Sequence, residues 1–83
     1  MDIENVWDKI IKNEGEQYIT KTGLPFTYTI NGNFVIPDRT GYPLSKGEFI
    51  KALDYLPMDG PGKISKIVRG SAYVWAILHD NKG

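Results

Sequence analysis

The residues able to do chemistry are few, and their placement excludes most catalytic schemes. The single histidine, His79, precedes Asp80 and lies four residues from the end of the chain, where fraying opposes the fixed geometry of general acid–base catalysis. There is no cysteine, so neither a disulfide framework nor a Cys/His zinc set can be assembled. No pair of carboxylates has a recognisable glycosidase or metal-ligand arrangement, no glycine-rich run matches a phosphate-binding fingerprint, and no Gly-x-Ser-x-Gly occurs. The expectation is a protein that is not an enzyme and carries no cofactor or metal. It acts by binding something.

Two blocks stand out as binding chemistry. Lys21-Thr22-Gly23-Leu24-Pro25 and Arg39-Thr40-Gly41-Tyr42-Pro43 repeat the order basic, Thr, Gly, apolar, Pro. Glycine lets the backbone turn its amides outward, threonine adds a hydroxyl donor, and a cation on each side can grip a phosphate or carboxylate. The same composition is also ordinary strand-breaking turn chemistry. A third set, Lys63, Lys66 and Arg69, recurs every three residues opposite Ile64, Ile67 and Val68, as on one side of a short helix. In a nucleic-acid reading these cations contact phosphates while Ser71 and Tyr73 approach bases. In the plainer reading they form a solvated basic face.

The run Lys63 to Trp75 resembles a helix-turn-helix, which sets the start of a second helix in the major groove. It departs from that motif in two ways. The glycine of the turn falls one place earlier in the motif, and Tyr73, Val74 and Trp75 stand where polar readers belong. Trp7, Tyr73 and Trp75 are also eligible interaction anchors, although large aromatics in so small a domain are first of all core.

These residues need elements to position them. Ile3, Val6, Trp7, Ile10 and Ile11 recur at spacings of three and four, which predicts a helix over 3–12, capped by Asp2 and stopped at Asn13-Glu14-Gly15. Tyr18-Ile19-Thr20, Phe26 to Ile30 and Phe34-Val35-Ile36 read as strands. Asn31-Gly32 reads as a type I′ hairpin turn, pairing Ile30 with Asn33, Tyr28 with Val35 and Phe26 with Pro37. Phe26, Tyr28, Ile30 and Val35 then share the core face, and Phe34 and Ile36 take the opposite one. The hairpin brings Lys21 and Arg39 to the same end.

Ser45-Lys46-Gly47-Glu48 is a capping box, with Leu44 and Phe49 as its hydrophobic staple. The helix it starts has the stripe Phe49, Ile50, Leu53 and Leu56 and ends at Pro57. Pro61 opens a further short helix stopped at Gly70. Residues 71–80 suit either a helix capped by Ser71 or a buried strand, with helix preferred. The predicted fold is a two-layer α+β domain with an N-terminal helix, a three-stranded antiparallel β-meander and two or three C-terminal helices.

Eighty-three residues with 41% hydrophobic content suit one ordinary globular domain, residues 1–83. Net charge is zero, which argues against a strongly basic nucleic-acid binder and against an acidic DNA mimic. The distribution is uneven: residues 1–17 hold five acids against Lys9 and Lys12, and the remainder holds eight bases against five acids. No apolar run spans a bilayer and no secretory leader is visible, so a cytoplasmic protein with no membrane association is expected.

Two functions remain as expectations. One is a nucleic-acid-associated binding module using Lys21, Thr22, Arg39, Thr40, Lys63, Lys66, Arg69, Ser71 and Tyr73. The other is a protein-interaction module, such as a small regulator, inhibitor or phage accessory factor, using Phe34 and Ile36 or a sheet edge. A homodimer through the same face is its simplest form.

Overall fold

The computed structural model describes residues 3–56 and 59–79. The expected cap at Asp2 and the last residue of the 71–80 stretch, Asp80, lie outside the described residues; Pro57 does too, but the helix expected to end there already ends at Leu53, with Asp54 as its C-cap. Helix α1 runs Ile3–Lys12, as its periodicity requires, and buries Val6, Trp7 and Ile10. Ile11 is 44% exposed, so the buried stripe is narrower than the sequence suggests. Gly15 ends the helical segment at φ +88°, a conformation that glycine adopts without steric penalty.

Strands β1 (Tyr18–Ile19) and β2 (Pro25–Phe26) form one antiparallel pair. Strands β3 (Tyr28–Asn31), β4 (Phe34–Pro37) and β5 (Leu44–Ser45) form a three-stranded antiparallel meander. The meander is thus present, with 44–45 as its third strand in place of 18–20. The division falls at Thr27, whose amide donates to Asp38 Oδ1 (3.1 Å) while its carbonyl accepts from the Asp38 amide (2.9 Å). The aspartate side chain takes a bond that a strand carbonyl would accept, and the regular ladder ends there.

The hairpin register differs from the expected one. Ile30 faces Val35, Tyr28 faces Pro37 and Asn31 faces Phe34, so Gly32 and Asn33 form the loop. Gly32 has φ +62° and, among the described residues, none other than glycine has positive φ, which is the pattern of a type II′ turn with glycine first. A type I′ turn would have required positive φ at Asn31. Each β3 residue meets a partner two positions further along than expected, so face assignments survive: Tyr28, Val35 and Pro37 are buried, and Phe34 is exposed.

Helix α2 is Lys46–Leu53, with Ser45 Oγ accepting the Glu48 amide at 3.4 Å. Phe49 and Ala52 are its buried residues, whereas Ile50, assigned to the buried stripe, is 46% exposed. The reciprocal arm of the capping box is absent, because the Glu48 carboxylate instead accepts the Arg69 amide at 3.0 Å. The expected short helix beyond Pro61 is a 3-10 turn, Pro61–Lys63, followed by irregular turns that bury Ile64 and Val68. With no first α-helix, the geometry of a helix-turn-helix does not arise.

Helix α3, Ser71–His79, resolves the helix-or-strand ambiguity in favour of helix. Its residues Val74 to Leu78 are all buried, as in a helix surrounded by other elements. The Gly70 carbonyl accepts from the Tyr73 and Val74 amides (2.9 and 3.0 Å), so Gly70 takes the N-cap place expected for Ser71, and Ser71 is the first helical residue. One apolar cluster joins α1, the strands, α2 and α3. Tyr28 lies within it and donates to the Ile10 carbonyl at 2.6 Å.

Candidate functional site

The start of α3 opens into a cleft of about 440 Å³. Its apolar lining comes from Tyr42, Leu44 and Val68. Its polar lining comes from Thr40, Ser65, Arg69, Ser71 and Tyr73, with Gly70 between the two. Two distant segments therefore meet here: residues 40–44, from the turn after β4 into β5, and residues 65–73, from the end of the 61–70 segment into the first turn of α3.

Local chemistry explains each arrival. Gly41, at φ +63°, donates its amide to the Pro37 carbonyl at 2.9 Å and reverses the chain just past β4. That reversal positions Thr40 and Tyr42 to line the cleft. The Glu48 carboxylate anchors the Arg69 backbone from the first turn of α2. Gly70 adopts φ +61° and lies so close to Leu44 that a Cβ there would stand 2.5 Å from Leu44 Cδ2. Backbone conformation and close packing both demand glycine at this position.

The electrostatic centre is Arg69. Its guanidinium carbon lies 5.2 Å from the centroid of the Tyr42 ring, within cation–π range. Among the described residues the guanidinium donates to no protein atom and pairs with no carboxylate. The amides of Ser71 and Ala72, at the positive end of the α3 dipole, likewise donate to no protein atom among the described residues. Arg69 and the Ser71 amide are unspent donors at one open cleft, an arrangement suited to an anion. Among the described residues no group of three or more His, Asp or Glu side chains could hold a metal ion.

The residues singled out in the sequence divide between several places. Thr40, Arg69, Ser71 and Tyr73 come together in the cleft. Lys21 donates its ammonium to the Asp59 carbonyl at 2.6 Å and lies over the Trp75 ring, while Thr22 Oγ1 lies 3.2 Å from Thr20 Oγ1. Arg39 donates to the Pro25 carbonyl at 3.4 Å, so the two Thr-Gly blocks do adjoin, but their cations turn to different partners. Lys63 and Lys66 are exposed on either side of Ser65 and do not line the cleft. Phe34 is 44% exposed and Ile36 half-buried on the opposite face of the meander. Trp7 and Trp75 belong to the core, and His79 stacks on Trp75 with ring centroids 4.5 Å apart.

Sequence reasoning missed Tyr42, Leu44, Ser65 and Val68 as cleft residues. Tyr42 had a signal: it is the aromatic in the second Thr-Gly block where the first has Leu24. Ser65 had only its place between two lysines. Compared with known proteins, the chain matches no family model, no curated protein and no solved structure.

Proposed function

We propose that this domain is a small non-catalytic binding module that receives a phosphate of a nucleic acid in the cleft before α3. The observation that carries the reading is the Arg69 guanidinium, held over Tyr42 with its N–H donors unspent. Charge-assisted bonds from arginine to phosphate are about twice as strong as neutral ones. The Ser71 amide and the Thr40 and Ser71 hydroxyls supply the remaining donors. Exposed Lys63 and Lys66 raise the local potential around them.

A neutral chain with Lys21 and Arg39 engaged elsewhere implies few phosphate contacts and a shallow salt dependence. Fluorescence anisotropy of a labelled oligonucleotide over a salt series tests this. The expected log–log slope is about −1 to −3, at roughly −0.7 to −0.9 per neutralised phosphate. Arg69→Ala is expected to weaken binding by about ten- to 150-fold, from loss of a charged hydrogen bond worth ~1.5–3 kcal/mol. Absence of binding at low salt, or an unchanged affinity in Arg69→Ala, overturns the reading.

A second reading is favoured by Phe34, a large apolar side chain left 44% exposed beside Ile36. The face, not the edge, is then the docking surface for a protein partner or a second copy. At the outer edge of β3 the Tyr28 carbonyl accepts the Gly15 amide (3.1 Å), and the Ile30 amide donates to Glu14 Oε2 (2.7 Å). Such cover blocks strand addition there. Under this reading Phe34→Asp abolishes a dimer or complex seen by light scattering while the circular dichroism spectrum is unchanged. A solution monomer whose complexes ignore that substitution removes the reading.

A further inference from the structure

Arginine presents two kinds of surface. Its donors lie in the guanidinium plane and its faces stack on rings, so one side chain can bond a phosphate and support a base together. Arg69 already lies over an aromatic ring, its guanidinium carbon 5.2 Å from the Tyr42 centroid, and Tyr42 itself is 38% exposed. Bases of single strands stack on aromatic side chains and on arginine planes, whereas bases in a duplex are stacked on one another and offer only their edges.

Size and polarity agree. About 440 Å³ lies in the range of sites for one small ligand and is far too little for a double helix. Tyr42 provides exposed apolar surface for a planar ring, backed by the buried Leu44 and Val68, and the hydroxyls of Thr40, Ser71 and Tyr73 can meet its polar edge. A duplex reader would instead need a row of unengaged cations to follow a backbone. Here Lys21, Arg39 and Lys46 are held by Asp59, Pro25 and Glu4 respectively, and the segment beside the cleft offers the short set Lys63, Lys66 and Arg69.

We propose that the cleft accommodates one nucleotide of a single strand, with its base stacked on the Arg69–Tyr42 pair and its phosphate on the in-plane donors of Arg69. The proposal rests on the phosphate reading above and adds base recognition to it. Because stacking is indifferent to which base is present, sequence preference is weak.

The test uses the full chain and four probes: a labelled oligothymidylate, the same strand with abasic residues, a duplex of equal length, and inorganic phosphate as competitor. The expected order is intact single strand tightest, with the abasic strand and the duplex each about tenfold weaker, the scale of one base–aromatic stack. Tyr42→Ala is expected to remove that tenfold advantage, and Tyr42→Phe to retain it. Tyr42 is outside the core, and circular dichroism verifies that both variants fold. Equal binding of intact and abasic strands with a neutral Tyr42→Ala overturns base stacking and leaves the phosphate reading standing. A duplex that binds more tightly than the single strand also overturns base stacking. No binding of any probe overturns both.

Discussion

Gly70 shows most sharply how much one position can determine. Its φ of +61° is costly for any residue with a Cβ, and that Cβ would also stand 2.5 Å from Leu44 Cδ2, in a leucine only 1% exposed. Strain in this region costs about 1–3 kcal/mol and overpacking a similar amount. Gly70→Ala should therefore lower stability by roughly 2–5 kcal/mol, read as a lower urea midpoint with unchanged slope. The two costs can be separated. In a Leu44→Ala background the clash is relieved, so Gly70→Ala should cost less there than in the parent, as expected of touching residues. Glycine at 70 was legible in the sequence as a left-handed position, although it precedes α3 as its N-cap and does not stop the helix expected before it. Its second role, leaving room for Leu44, was not legible, since the two residues meet only through the fold.

At the scale of elements, the hairpin supplies the clearest test of how turn chemistry selects register. With Gly32 first in a type II′ turn, Asn31 is an ordinary strand residue paired with Phe34. Asn31→Val should then be tolerated within about 0.5 kcal/mol, as for an exposed strand position suited to β-branched residues. Gly32→Val should destabilise by ~1–3 kcal/mol, since only glycine takes positive φ cheaply. Chemical denaturation of both variants decides the matter, because a type I′ turn at Asn31-Gly32 would make both substitutions costly. Helix α1 and the start of α2 were legible because periodicity and caps act over four residues or fewer. The break at Thr27 and the third strand at 44–45 were not. Both depend on pairings across turns, the Asp38 carboxylate on the Thr27 amide and Leu44 opposite Val35.

For the whole molecule, alkaline stability should follow the buried phenol of Tyr28. Burial, reinforced by the hydrogen bond with Tyr18 and by the negative charges of Glu14 and Glu16, holds this phenol protonated well above the usual tyrosine range. The unfolded chain releases that proton first, at about pH 10, while the folded chain keeps it. The folded state thus binds more protons above this pH, so stability is complete below about pH 10 and falls as pH rises beyond it. Melting temperatures across that range should fall less steeply in Tyr28→Phe, although this variant loses ~1 kcal/mol at neutral pH with its bond to Ile10. An identical fall in both proteins would show that Tyr28 has no part in alkaline unfolding. By itself the sequence determined the α+β class, the first helix, the cap of α2 and the turn-forming glycines, because each is written in residue types within a few positions. Only the tertiary structure decided the cleft. Arg69 finds Tyr42 for its guanidinium and Glu48, 21 residues away, for its amide, because packing around α3 brings those segments together. Contacts of that range are products of the shared core, and no local pattern of residues records them.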